Sequence, residues 1–324
     1  MPPRPPSLAG TAMIIRDRPG FYDLLFTVRG SVLPRIKCQL ALSMALACLV
    51  VGLDWLLPSS RIFTLTTVPF TLIGLALAIF LGFRNSASYD RWWEGRKLWG
   101  DVVIRTRSAT RLILSHLHPS DRDPAQAERM TMALVAFAYL LKRHLRDGTD
   151  GDARGSDGRA FLPADIAASI SGAANPPDAA LGLISRELAQ AAAEGRIDPM
   201  NVASIEGCLT ALAADQGGCE RLKTTPLPFA YSLLLHRTAY LYCLALPFGL
   251  AGITGLMTPF VVGIVSYTIF GLDALGDEIE QPFGMMPNNL PLDAICRRIE
   301  IDLLAALGRT DLPPALTPKE FWLT

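Results

Sequence analysis

The stretch that decides the fold is Phe63–Phe83, FTLTTVPFTLIGLALAIFLGF, which the polar residues RNSASYDRWWE follow at positions 84–94. The run carries no charge between Arg61 and Arg84. Its length matches the roughly 20 apolar residues that a helix needs to cross a bilayer. A basic and aromatic end is typical of the point where a spanning helix enters the cytoplasmic headgroup region. We therefore predict a transmembrane helix whose Arg84 end is cytoplasmic.

One face of this predicted helix carries an apolar stripe. Leu75, Ile79 and Phe83 are spaced at i, i+4 and i+8, and this spacing places them above one another on the same side. Two interpretations are open: the stripe faces lipid, as in any membrane span, or it lines a pore. The spacing alone favours the lipid-facing interpretation.

Composition also indicates a membrane protein. Half of the 324 residues are hydrophobic, the formal net charge is zero, and the mean hydropathy is +0.31 although 19% of the residues are charged. Concentrated apolar runs explain this better than one mixed core. Zero net charge gives no reason to expect nucleic acid as a partner. The six cysteines lie far apart without a CxxC motif, so we interpret them as small apolar residues.

The pattern divides the chain into five regions. An N-terminal segment with an amphipathic interfacial helix is predicted before the first span. The turn Pro58–Ser60 is so short that the first two spans must form a hairpin, with span 2 as the candidate pore-lining helix. The predicted regions are residues 1–37 (N-terminal segment), 38–83 (transmembrane hairpin), 84–225 (cytoplasmic helical region), 226–275 (second transmembrane hairpin) and 276–324 (cytoplasmic C-terminal segment).

The distribution of lysine and arginine predicts the orientation of the chain in the membrane. Basic residues cluster before the first span and after the second, whereas the loop between these spans holds only Arg61. By the positive-inside rule, both termini and the 84–225 region are cytoplasmic, and the chain is a multi-pass protein of the plasma membrane.

His236 and Arg237 stand inside the second apolar pair. Ionisable residues at membrane depth usually face the protein interior or water and have a partner. Arg237 therefore has a structural role, in which it reaches the cytoplasmic interface or pairs with Asp273 or Asp277, or it has a role in an ion path. The sequence favours neither kind of role over the other.

Catalytic patterns are not recognisable. The histidines are dispersed, and His116-x-His118 alone is a weak metal signal. The Gly- and Asp-rich loop at 147–158 has Arg154 where an EF-hand needs an oxygen ligand. We therefore expect no enzyme, and a membrane enzyme is only the third hypothesis.

Five motifs in this order resemble the bestrophin family of ion channels, in its bacterial branch. They lie around the predicted spans and cover most of the chain, and we expect their residues Arg91, Trp92, Trp93, Pro282, Phe283 and Gly284 to have structural roles. The motifs are LLFTVRGS (24–31), GFRN (82–85), YDRWWE (89–94), RIDP (196–199) and EIEQPFG (278–284).

The resemblance implies an all-α membrane protein with four transmembrane helices, a large helical cytoplasmic region and one pore at the centre of a homopentamer in the bacterial inner membrane. It places Leu75, Ile79 and Phe83 in a hydrophobic pore neck. It places Met200 at a second constriction, the cytoplasmic aperture, for which a methionine packed in a helix is the alternative interpretation.

Animal members of the family bind calcium through a backbone-rich clasp and an acidic cluster after Pro-Phe-Gly. Here residues 285–290 read MMPNNL, and no carboxylate appears before Asp293. Calcium prefers several oxygen ligands, including charged ones. We therefore predict no cofactor and no metal, with calcium activation doubtful and Asn288 and Asn289 as the remaining candidate carbonyl ligands.

The predicted function is passive conduction of monovalent ions through the neck. The permeant ion is either chloride or another anion, or sodium or another cation, because no ring of charge can be assigned from the sequence. The expected partners are further copies of the chain, the lipid bilayer and small inorganic ions, without nucleic acid. The alternative is a membrane scaffold protein whose cytoplasmic helices bind a partner.

Overall fold

A computed structural model describes residues 30–56, 66–118, 123–148 and 158–318. All regular structure in these ranges is helical, so the all-α prediction is confirmed for them. The helices are α1 (Leu33–Leu56), α2 (Val68–His116), α3 (Gln126–Leu145), α4 (Ala164–Ser171), α5 (Pro176–Ala193), α6 (Pro199–Thr224), α7 (Phe229–Thr254), α8 (Thr258–Glu280) and α9 (Leu292–Ala306), with short 3-10 turns at Arg159–Phe161 and Gly255–Met257.

Three predicted features lie outside the described residues. They are the interfacial helix before residue 30, the turn at 58–60 with the start of the apolar run that follows it, and most of the loop at 147–158.

The described residues form two compact units. The apolar unit comprises the described residues from 30 to 92 and from 226 to 281. The polar unit comprises the described residues from 93 to 225 and from 282 to 318. Helix α2 contributes its first half to the apolar unit and its second half to the polar unit.

In the apolar unit, α1 packs along α7 and α8. Small clusters of buried side chains join these helices. Their apolar side chains pack closely and leave few voids. One cluster contains Ile36 from α1, Cys243 from α7 and Phe270 from α8. A second joins Leu77 of α2 to Leu235 and Ala239 of α7.

By length and composition, three described stretches are able to cross a membrane: Leu33–Leu56, Val68–His116 and Phe229–Glu280. The last has 52 residues and contains both α7 and α8. These two helices are separated at Gly255, whose φ of 50° suits a residue without a side chain. The break lies after Thr254, inside the predicted second transmembrane hairpin of residues 226–275. That the chain crosses the membrane four times stays a prediction.

In the polar unit, α3 is the central element. It packs against α5, α6 and α9, and most of its side chains are buried, including Leu134, Phe137 and Leu141. Lys142 of α3 and Arg146, which directly follows this helix, are also buried, and they bind residues of the segment that begins at Pro282.

Candidate functional site

The predicted neck residues lie on an exposed face of α2. The exposed fractions are 61% for Leu75, 49% for Ile79 and 65% for Phe83. The opposite face is buried, with Leu77 and Leu81 each 2% exposed. The apolar stripe is thus free within one chain to contact lipid, another copy or a pore, and its role in a neck stays a prediction.

Arg84 follows the apolar run of α2, lies on its buried face and forms an ion-pair network with α8. Its side chain is 2% exposed, and Nη1 donates to Oδ1 of Asp273 at 2.7 Å. Nη2 donates to Asp277 and lies 3.5 Å from Oε2 of Glu280. The three carboxylates stand at i, i+4 and i+7, on one face of α8. A buried guanidinium is tolerated here because several acceptors share its charge.

The same network includes His236 but not Arg237. Nδ1 of His236 lies 2.8 Å from Oδ2 of Asp273. Arg237 is exposed and forms no ion pair within the described residues. The predicted pairing of Arg237 with Asp273 or Asp277 is therefore wrong, since Arg84 and His236 take Asp273, and Asp277 is held by Arg84 and by Arg35, which lies 3.7 Å away.

Sequence reasoning missed the role of Arg84, although a signal was present. A single arginine closes the apolar run of α2, and carboxylates at positions 273, 277 and 280 share one face of an otherwise apolar helix. Charges placed this way at membrane depth require partners.

The Arg-Trp-Trp motif is engaged in local contacts. Nε of Arg91 donates to the carbonyl oxygen of Glu280 at 3.0 Å. The ring of Trp92 stacks on that of Tyr89, with centroids 6.0 Å apart. The guanidinium of Arg96 lies 5.5 Å from the centroid of the Trp93 ring, within cation–π range.

The Pro-Phe-Gly motif forms a turn that packs on α2 within the polar unit. A Cβ at Gly95 would lie 3.1 Å from the Phe283 ring and 3.2 Å from Pro282, so this contact favours glycine. The carbonyl oxygen of Pro282 accepts from the N–H of Leu290 at 2.8 Å. That of Phe283 accepts from Nε of Arg146 at 3.2 Å. Both residues therefore stabilise the turn.

The candidate metal ligands Asn288 and Asn289 lie in this turn, and the next carboxylate in the chain is that of Asp293. Oδ1 of Asn289 accepts from the N–H of Met286 at 2.6 Å, and Asn288 next to it is half-buried. Asp293 accepts from Nζ of Lys142 at 2.6 Å and from Nη1 of Arg146 at 2.8 Å. These acceptors already bind protonated donors, two of which carry positive charges that repel a cation.

The two cations also determine the charge of Asp293. Burial opposes ionisation of this carboxyl, but the charges and hydrogen bonds of Arg146 and Lys142 outweigh burial and hold its pKa below the usual value. Throughout the described ranges, no group of three or more His, Cys, Asp or Glu side chains is arranged to hold a metal ion.

Met200 lies in the first turn of α6, directly after the Asp198-Pro199 pair. The side chain of Asp198 caps this helix by accepting from the N–H of Met200 at 2.8 Å. Met200 is 74% exposed, so it does not pack in the core of its own chain. Its position at an aperture stays a prediction.

Long apolar helices, a buried ion-pair network between them and an exposed apolar stripe define a helical membrane protein suited to forming a channel. The family described as "Bacterial/Fungal Bestrophin protein" matches residues 13–305. The chain therefore belongs to the bestrophin family, which is a family of ion channels and not a class of enzymes.

Relatives and solved structures agree with this assignment. The voltage-dependent anion channel-forming protein mll4386 of Mesorhizobium japonicum is 43% identical over 95% of this chain and 96% of its own length. The voltage-dependent anion channel-forming protein YneE of Escherichia coli is 37% identical, over 96% of this chain and 99% of its own. A crystal structure of a bacterial Bestrophin homolog from Klebsiella pneumoniae is 39% identical, with a TM-score of 0.77 over 85% of this chain and 99% of that one.

Proposed function

We propose that the chain assembles into a homopentamer in the bacterial inner membrane and conducts small monovalent ions passively. Each subunit crosses the membrane four times and keeps both termini in the cytoplasm. One observation carries the proposal: α2 buries one face against its own chain and leaves the stripe of Leu75, Ile79 and Phe83 exposed. Membership in a family of ion channels supports a pore-lining role for this stripe.

Conduction in this proposal depends on wetting of the neck. Five copies of the stripe form three stacked apolar rings. Such rings block ions while they are dry and pass them when water fills them, which is a known form of hydrophobic gating. The neck itself offers no charge to distinguish anions from cations.

The names of the relatives support an anion, such as chloride, as the permeant ion. The apolar neck does not decide between chloride and sodium, so the sign depends on charged groups elsewhere on the path. Met200, exposed at the start of α6, is proposed to form the second constriction at the cytoplasmic exit.

Channel opening in this proposal does not require calcium. Lys142 and Arg146 hold the turn between Pro282 and Asp293 with their own positive charges. Replacing calcium with a chelator in a bilayer experiment is expected to leave the current unchanged. A current that falls with the chelator and recovers with added calcium would contradict this part of the proposal.

Planar-bilayer recording of the purified protein in asymmetric NaCl tests the function. We expect single-channel currents, and the reversal potential gives the sign of the permeant ion. A correctly assembled, purified oligomer that gives no current would contradict the channel and favour a scaffold role. A mass measurement of the detergent-solubilised complex tests the pentamer in the same preparation.

A further inference from the structure

The exposed stripe of α2 continues past the neck and reaches a carboxylate. An α-helix turns 3.6 residues per turn, so Asp90, eleven residues after Ile79, faces within about 20° of the same direction. Ser86 lies between them on this face. At 1.5 Å per residue, Asp90 stands about 10 Å beyond Phe83 along the helix axis.

Asp90 on α2 differs from the carboxylates of α8 in the same unit. Asp273, Asp277, Glu278 and Glu280 are each paired with an arginine. Asp90 is exposed, and among the described residues it has no hydrogen-bond or ion-pair partner. Its carboxyl group is therefore presented on the exposed face of α2.

Neighbouring arginines do not offset this charge. Arg84 is buried and directs its guanidinium to α8 on the opposite side of the helix. Arg91 donates to the carbonyl oxygen of Glu280. The side chains on the stripe itself, from Leu75 to Ser86, are uncharged. On this exposed face of α2, Asp90 is the first charged side chain after Phe83.

We propose that Asp90 is the residue that sets charge selectivity, by forming a ring of carboxylates at the cytoplasmic end of the neck. This inference rests on the proposed channel function. A ring of negative charge raises the local concentration of cations and lowers that of anions. Asp90 thus shifts permeability towards cations, against the direction that the names of the relatives indicate.

Salt dependence follows from the exposure of Asp90. Solvent-exposed charges are screened over about 10 Å at 0.1 M ionic strength and over about 3 Å at 1 M. The contribution of Asp90 to cation permeability is therefore largest in dilute salt and declines in concentrated salt. A selectivity that does not change with ionic strength would overturn the proposal without any variant.

The direct test is Asp90→Asn, recorded in asymmetric NaCl beside the unmodified protein. We expect the reversal potential to move towards the chloride equilibrium potential, with the sodium-to-chloride permeability ratio falling about threefold or more in dilute salt. The double variant Ser86→Asp/Asp90→Asn returns a carboxylate to the stripe one turn earlier and is expected to restore the ratio.

The matched control is Asp165→Asn, which removes an exposed carboxylate from α4 in the polar unit. It is expected to leave the reversal potential unchanged. Unaltered selectivity in Asp90→Asn, or an equal shift in Asp165→Asn, would overturn the role of Asp90 while leaving the channel intact. If the unmodified protein does not conduct at all, the proposed function fails instead.

Discussion

The two faces of α2 differ in how their side chains are partnered. On one face, Leu77 packs on α7 and Arg84 binds three carboxylates of α8. On the other face, Leu75, Ile79 and Asp90 are exposed and remain uncovered by their own chain. One face of the helix thus stabilises the subunit, whereas the other is the face on which the proposed assembly and ion passage depend. Substitutions on the two faces should therefore have different consequences.

The largest effect on stability is expected on the buried face, from Arg84→Met. Removing the arginine from this buried ion-pair network takes away the guanidinium that Asp273 binds, which costs about 3–5 kcal/mol. Thermal unfolding in detergent should show a much lower midpoint. The control Arg237→Met removes an exposed arginine with no ion pair in the described ranges. An Arg84→Met protein as stable as this control would contradict the structural role of the network.

A similar contrast exists between two buried acids of the polar unit. Asp293 is held by two cations, whereas Asp215 has one, Arg105, at 2.7 Å and a second acid, Asp101, nearby. Burial raises the pKa of Asp215 to about 6, and the attraction of Arg105 only partly offsets it. Asp215 therefore retains its proton in the folded state at a pH where the unfolded chain has lost it.

The raised pKa predicts a pH dependence with a definite sign. Between the ordinary aspartate pKa of about 3.9 and the raised value, the folded state binds more protons, so stability falls as pH rises, by about 3 kcal/mol. Asp215→Asn should lack this decline and gain stability relative to the unmodified protein as pH rises through the window. If the free energy of unfolding changed with pH in the same way in both proteins, the raised pKa of Asp215 would be contradicted.

The lowered pKa of Asp293 has the opposite consequence: its contribution is present above the ordinary aspartate pKa and is lost in stronger acid.

The smallest effect is expected at the predicted aperture. Asp198→Ala removes the hydrogen bond to the N–H of Met200 and should cost about 1 kcal/mol. Asp198→Asn keeps a capping acceptor and serves as the control. Equal unfolding midpoints for the two variants would mean that the cap does not contribute.

Local patterns in the sequence predict much of this structure. The apolar runs indicate the long helices, and the i, i+4, i+8 spacing places Leu75, Ile79 and Phe83 on one face. The Arg84–Asp273 pair was not predicted because its members are 189 residues apart, and periodicity does not report such contacts. A break inside the second hairpin was expected, but its position at Gly255 could not be predicted, because hydropathy is similar on both sides of it. The exposure of Asp90 needed the structure, since neighbouring motif residues are partnered.

Single-channel recording of the triple variant Leu75→Ala/Ile79→Ala/Phe83→Ala tests the central claim most directly. Smaller side chains widen the apolar rings and ease their wetting, so we predict a higher conductance than in the unmodified channel. Leu42→Ala/Leu49→Ala, which truncates exposed apolar side chains of α1, is the control and should conduct normally. Unchanged conductance in the triple variant would contradict a pore lined by this face of α2.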